Sequence, residues 1–282
     1  MTRTLADRTI VMSGGSRGIG LAIALRAARD GANVMLLAKT ATPHPRLEGT
    51  VFTAAEEIET AGGRALAVVG DVRNEADVAS AVRQAVDTFG GIDIVVNNAS
   101  AIDVSGTEAL DMKRYDLMQD INTRGTFLLS KAAIPHLRAS SNPHILTLSP
   151  PLNFEPHWVG SHLGYTLSKY GMSLCTLGLA EEFAKDGIAA NSLWPRTLID
   201  TAAVRNLLGG ADRARSPQIV ADAAHAILTR PSRDWTGNLF IDDSVLAQEG
   251  VYDLSGYLPA GSPAGVKLAL DIFVDPPAAT AL

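Results

Sequence analysis

Short apolar runs alternate along this chain with stretches whose apolar residues recur every three or four positions. Thr9–Met12, Ala32–Ala38, Ala65–Val72, Ile92–Val96, His144–Ser149, Gly187–Leu193 and Gly237–Asp242 are runs of the first kind. Such runs, largely free of polar alternation, predict strands buried on both faces, as in a parallel sheet. Between them Leu21–Ala28, Thr53 to Gly62, Val78–Phe89, Asp111–Arg138 and Tyr165–Lys185 follow helical periods. Thr53 is the expected N-cap of the second of these, and a break is expected near Asn122-Thr123-Arg124-Gly125. Strands alternating with helices predict a doubly wound α/β fold, with a seven-stranded parallel sheet and helices on both faces. No repeat or mid-chain linker interrupts the pattern, so residues 1–243 are expected to form one domain. Residues 244–282 are a partly irregular C-terminal extension, with an apolar patch at Val266–Val274 and a loose tail from Pro276 to Leu282. The Thr40–Thr53 connection, containing Pro43, His44, Pro45 and Arg46, is longer than most βα loops and acquires no role from its sequence.

The first strand runs into Ser13-Gly14-Gly15-Ser16-Arg17-Gly18-Ile19-Gly20 and then directly into a helix. Glycines at such a turn permit positive φ and leave no Cβ between the backbone and a ligand. The helix behind the turn offers unpaired N–H groups and the positive end of its dipole to a phosphate. A dinucleotide pyrophosphate fits this Rossmann-type arrangement, although the spacing is Gly-x-x-x-Gly-x-Gly rather than Gly-x-Gly-x-x-Gly. A tight turn without a ligand is the plain alternative. The second strand should end near the adenosine ribose, where an acidic residue would accept the 2′-hydroxyl of NAD. Lys39 and Thr40 stand there instead, and Arg17 adds a second cation, so NADP(H) is expected in preference to NAD(H). A solvated surface lysine is the alternative for Lys39. Asp71, at the end of the third apolar run, is placed either to bond a ligand such as the adenine amino group or to cap the next helix.

The chain has 282 residues, 46% of them hydrophobic and 19% charged, enough apolar material for a full core. Its net charge of −6 gives no general attraction to nucleic acid or anionic membranes. No apolar run reaches the roughly 18–20 residues of a spanning helix. Met1–Arg8 lacks a signal peptide's apolar segment, and the single cysteine, Cys175, allows no intrachain disulfide; a cytoplasmic setting is expected. Cys175 lies in an apolar helical stretch and reads as core packing. His157, His162 and Glu155 are not at compact metal-ligand spacing, so no metal is expected. Trp158 and Leu163, in the same loop, are candidates to line an apolar pocket.

Tyr165 and Lys169 are one helical turn apart and project from the same side of a helix that starts beyond a strand's C-terminal end. An ammonium near a phenol favours the phenolate and lowers its pKa from about 10. The glycine turn, Asn97-Asn98-Ala99, Asn122-x-x-Gly125 and Tyr165-x-x-x-Lys169 occur in this order on these elements. Over about residues 5–243 the chain resembles the short-chain dehydrogenase/reductase family. The stretches Thr53–Glu59, Leu148–Asn153 and Lys169–Ser173 resemble most its hydroxysteroid dehydrogenase-like protein 2 branch, whose larger members carry a further sterol-carrier domain.

That resemblance implies an NADP(H)-dependent oxidoreductase interconverting an alcohol and a carbonyl on a small-to-medium apolar substrate of terpenoid, fatty or steroid type. It implies Tyr165 as general acid/base, Lys169 as its activator and Asn122 as holder of a relay water. It implies coenzyme contacts at Gly14, Ser16, Arg17, Gly18, Ile19, Gly20, Lys39, Asp71, Val72, Asn98, Ala99, Tyr165, Lys169, Pro195 and Thr201, with Thr201 alternatively capping the next helix. Pairing into a homodimer or homotetramer is implied too. The chain departs from the family pattern twice. The position of the carbonyl-orienting serine falls on Leu152, or on Pro150 when counted from the strand, leaving Ser149 as the candidate, with capping of the strand end as its alternative. Arg196 replaces the glycine expected after Pro195, bringing bulk and charge toward the nicotinamide side. A coenzyme-binding sensor or scaffold with little turnover is the alternative function.

Overall fold

Each apolar run becomes a strand: β1 (Thr9–Ser13), β2 (Asn33–Ala38), β3 (Arg64–Val69), β4 (Ile94–Asn97), β5 (His144–Thr147), β6 (Ala189–Trp194) and β7 (Leu239–Ile241). In the computed structural model they form one sheet in the order β3-β2-β1-β4-β5-β6-β7, every pairing parallel. The structure describes residues 3–275 apart from 44–48, 203, 209, 260–261 and 263–264. Most of the Pro43–Arg46 segment and the Pro276–Leu282 tail therefore lie outside the described residues.

Helices cover both faces: α1 (Gly18–Ala28), α2 (Val51–Thr60), α3 (Glu75–Phe89), α4 (Met112–Met118), α5 (Gly125–Leu137), α6 (Pro156–Ser161), α7 (Leu163–Glu182), α8 (Gln218–Leu228) and α9 (Asp242–Gln248). Side chains alternate across a strand, so Ile10 and Met12 join Ile23, Ile219 and Ile227 in one core layer. Val11 points the other way, into a layer with Val82, Leu129 and Leu179. Both faces of β1 are thus buried, which is why its sequence is apolar throughout.

Several local expectations are corrected. The second helix is capped by Thr50, which accepts from Thr53 N while Thr53 reciprocates, so Thr53 is the third helical residue. Both threonines can cap; burying Val51 requires the earlier start. The break near Asn122 is a π-helical turn, Gln119–Arg124, inserted between α4 and α5. The loop before Tyr165 contains the short helix α6, and α7 starts two residues earlier than expected. The expected seventh strand gives up Asp242 to α9, whose first turn places that carboxylate against the N–H groups of Arg196 and Asp243.

The strand order reverses between β1 and β4, whose registry sets Ser13 beside Asn97. That is the topological switch point, where doubly wound sheets open a crevice at the C-terminal strand ends.

Candidate active site

Gly14 leaves β1 at φ +74, and a Cβ on it would lie 2.8 Å from Ala99 Cα. Only a residue without a side chain lets the turn pass this close to the loop after β4. Gly20 is equally constrained, since a Cβ there would come to 2.4 Å from Asn98 Nδ2. Asn98 donates to Gly14 O at 2.7 Å and to Ser13 O at 3.3 Å, and Ser13 Oγ accepts from Ala99 N. Asn98 and Ala99 therefore stitch the turn to β4. No side chain caps α1 and no acidic residue lies in its first turn, so the helix end presents its N–H groups and positive dipole to an anion. Ser16 is buried in the turn, Gly18 is left-handed at φ +57, and Ile19 is partly buried. Thr201 stands beside Gly18 and its hydroxyl accepts from Val204 N at 3.4 Å, so it caps and adjoins the turn at once. Such a cradle fits a dinucleotide diphosphate.

Where β2 and β3 end, Lys39 is exposed and lies 3.4 Å from Asp71. Arg73, which no motif marks, holds the same carboxylate with contacts of 2.6, 3.0 and 3.1 Å. The Arg73 hydrogen bonds, aided by the charge of Lys39, keep Asp71 far below the usual carboxylate range. Two cations around one carboxylate leave a net positive charge at the strand ends. Asp71 does not cap the following helix; Asn74 does. Val72 is buried and packs on Gly125, where an added Cβ would sit 3.0 Å from Val72 Cγ1.

The π-helical turn brings Asn122 inward. Its amide accepts from Ala101 N at 2.7 Å and donates to Ala101 O at 2.9 Å and Ser168 Oγ at 2.9 Å. The loop after β4 is thereby clamped at its far end and joined to α7. Tyr165 and Lys169 are both buried on the inner face of α7. Ser100, between Ala99 and Ala101, donates to Ala101 O at 3.4 Å and lies near enough to the Tyr165 phenol to lower its pKa. No motif marked Ser100; the signal was its adjacency to Asn97-Asn98-Ala99. Ser149 is fully enclosed, with its hydroxyl 3.0 Å from Ser173 Oγ, which itself donates to Pro150 O at 2.6 Å. Leu152 joins the apolar cluster around Tyr165. Pro195 ends β6 and is buried; Arg196 is drawn onto Asp243 at 2.5 Å and Ser244 at 3.0 Å, so its charge is taken up by α9 rather than left over the crevice. Cys175 is half-buried rather than a core residue.

Electrostatics differ from the simple Tyr–Lys expectation. Lys169 Nζ donates to Leu148 O at 2.6 Å, contacts Met172 Sδ at 3.4 Å and sits 5.0 Å from the centre of the Trp194 ring. Burial pushes its ammonium down to about 7, opposed by the carboxyl of Asp271. Burial also pushes the Tyr165 phenol well above its ordinary value; the field of Asp271 adds to this and the Ser100 hydroxyl opposes it.

The source of that burial is a strap from the C-terminal extension, a segment no motif connects with the site. Ala269–Asp271 runs against Arg196–Leu198, with Leu198 N to Ala269 O and Asp271 N to Arg196 O both 2.9 Å, and Leu270 bridged antiparallel to Thr197. Trp194 Nε1 donates to Ile272 O at 2.9 Å. Phe273 then turns inward at φ +70, a conformation that is an outlier for a bulky residue and costs on the order of 1–3 kcal/mol. Its ring stacks on Tyr165 with centroids 6.1 Å apart and planes 25° apart. Asp275 ties the strap's end to the preceding loop, accepting from Asn153 at 2.7 Å and from Trp158 Nε1 at 3.0 Å. Trp158 is thus part of this apolar roof, and His157 lies 3.7 Å from Asp275.

A seven-stranded doubly wound sheet, an uncapped glycine turn at its switch point and a buried Tyr-x-x-x-Lys pair define an oxidoreductase class. The chain belongs to the short-chain dehydrogenase family: the profile described as short chain dehydrogenase matches residues 8–209. It is 56% identical over 277 residues to hydroxysteroid dehydrogenase-like protein 2 of Xenopus tropicalis, covering 97% of this chain and 65% of that protein. Against the protein of the same name from Homo sapiens it is 51% identical over 278 residues, with the same two coverages of 97% and 65%. The chain spans slightly less than two thirds of the length of these relatives. Among solved structures, a provisionally assigned dehydrogenase from Xanthomonas campestris superposes with a TM-score of 0.93 at 54% identity, covering 97% of this chain and 100% of that one. A short chain dehydrogenase from Mycobacterium thermoresistibile gives 0.92 at 53% identity, covering 98% and 99%. No helix among the described residues is long and apolar enough to cross a membrane.

Proposed function

We propose that this oxidoreductase uses NADP(H) to interconvert an alcohol and a carbonyl on a small-to-medium apolar substrate. The observation that supports it best is a single loop, Asn98–Ala101, bonded to the glycine turn at one end and, through Asn122 and Ser168, to the helix that bears Tyr165 at the other. A coenzyme seated on the turn thereby lies within reach of a proton donor. Gly14, Ser16, Arg17, Gly18, Ile19 and Gly20 hold its diphosphate, with Pro195 and Thr201 beside it, and Asp71 and Val72 flank the adenine. Lys39 and Arg17 favour a 2′-phosphate, and Arg73 strengthens that preference.

When bound, the coenzyme supplies or accepts the hydride. The protein's share is the proton. In the reductive direction Tyr165 Oη donates to the carbonyl oxygen as hydride reaches the carbonyl carbon; in the oxidative direction it takes the proton back. Lys169 stabilises the phenolate, and Asn122 holds a water behind Lys169 for proton exchange with solvent. A second hydroxyl must orient the carbonyl. Ser149 is the candidate by sequence, but Ser100 is better disposed, since Ser149 is enclosed against Ser173. Half-exposed Phe127 and Leu174, on α5 and α7, fit pairing of two copies through those helices, giving a homodimer or homotetramer. A single cysteine fits a reducing compartment such as the cytoplasm.

Fluorescence titration with NADPH and NADH, on wild type and Lys39→Ala, tests the coenzyme. NADPH affinity is expected to fall about tenfold in the variant, the equivalent of ~1.4 kcal/mol for a lost phosphate contact, with NADH unaffected. Equal binding of both coenzymes overturns the NADP(H) assignment. Tyr165→Phe should abolish hydride transfer while retaining coenzyme binding. The second reading, a coenzyme-binding sensor or scaffold with little turnover, is favoured by one observation, the strongly raised phenol of the covered site; coenzyme binding without hydride transfer to any carbonyl would select it.

A further inference from the structure

A proton-donating tyrosine must touch its substrate, yet Tyr165 is 4% exposed because Phe273 stands against it. The Phe273 ring is itself 1% exposed, ringed by Tyr170 at 5.3 Å and by Trp158 and Trp194 each at 6.2 Å. Those three rings and Tyr165 make an apolar seat with a phenyl group already in it. The backbone reaches it only at φ +70, in the region that favours glycine, so the surroundings and not local preference hold the ring there. The strap's outer end is fastened by contacts of Asp275 at the protein surface, with both Asp275 and His157 more than half exposed. A ring held inward by packing and latched at an exposed end is one that a competing ring can displace.

We propose that Phe273 is the specificity-determining residue, occupying the substrate's own seat beside Tyr165 until the substrate displaces it together with the Leu270–Asp275 strap. Resting on the oxidoreductase reading above, this names the substrate class: carbonyl compounds, or the matching alcohols, whose group next to the reacting carbon is a flat apolar ring. Small anionic carbonyl compounds gain nothing from the aromatic walls and cannot dislodge Phe273.

The test is binding of 4-fluoroacetophenone to the full chain, loaded with NADPH, followed by 19F NMR, with pyruvate as the anionic comparison. Phe273→Ala empties the seat, and Phe273→Gly does so while accommodating the left-handed backbone. Asn153→Cys with Asp275→Cys, in a Cys175→Ser background, pins the strap shut on oxidation and frees it on reduction. The expected results are roughly tenfold tighter probe binding in either Phe273 variant, at least tenfold weaker binding in the oxidised clasp than in the reduced one, and no binding of pyruvate. Equal probe affinity in wild type, both Phe273 variants and both clasp states overturns the proposal, as does absence of probe binding in all of them. Probe binding that follows the seat without hydride transfer in any form would instead remove the oxidoreductase reading and leave the seat standing.

Discussion

Ser100 and Ser149 bring the same hydroxyl into different surroundings. Ser100 is exposed on a loop clamped by Asn122 and lies near enough to the Tyr165 phenol to lower its pKa; Ser149 is enclosed behind the site against the Ser173 hydroxyl. Removing a preorganised donor to a developing oxyanion costs about 100-fold in kcat, so Ser100→Ala is expected to lose about that much at unchanged NADPH affinity. Ser149→Ala is expected to keep kcat within about twofold and to lose ~1 kcal/mol of stability, because Ser173 then lacks one partner. Steady-state kinetics and thermal melts of both variants decide; the reverse pattern would assign the carbonyl to Ser149. Spacing along the chain cannot separate two such serines. The difference lies in which way each backbone turns and what faces it from α7.

The glycine turn is an element whose geometry is set by a neighbour distant in sequence. Gly14 combines positive φ with an approach to Ala99 Cα that a Cβ would bring to 2.8 Å. Gly14→Ala is therefore expected to cost ~1–3 kcal/mol and to abolish coenzyme binding, measured by melting temperature and NADPH titration together. A variant that melts like wild type and binds NADPH normally would sink the claim that the turn and the β4 loop must touch. The strands and most long helices were readable because their periodicity follows directly from burial on one or both faces. The start of the second helix was not, since Thr50 and Thr53 are equally able caps and only the packing of Val51 separates them. Nor was the π-helical turn, whose extra residue is justified only by the bonds Asn122 makes to Ala101 and Ser168.

Across the whole molecule, folding brings the far end of the chain onto the helix that bears Tyr165, and this has a titration signature. Burial, and the nearby Asp242 carboxyl, push Asp271 up to about 8, against bonding from Ile272 N and the charge of Lys169. Between the ordinary carboxylate value near 4 and about 8, the folded chain holds this proton while the unfolded chain has released it. Stability contributed by protonated Asp271 is full in acid and lost as pH rises through about 8. Relative to Asp271→Asn, wild type is thus expected to lose stability progressively from about pH 4 to 8 and to stay level above that, as urea melts at several pH values would show. A constant difference at all pH values would mean that the strap does not bury this carboxyl. The sequence by itself determined the sheet, the glycine-rich turn and the placement of Tyr165 and Lys169 on one face of a helix, because each rests on contacts within one element or on a periodicity imposed by burial. Tertiary structure alone decided that Ser100 faces the phenol, that Arg73 competes with Lys39 for Asp71, and that Phe273 covers the site. Those facts depend on contacts between residues as many as 108 positions apart, as Tyr165 and Phe273 are, and no local pattern along the chain encodes a meeting that only the folded backbone brings about.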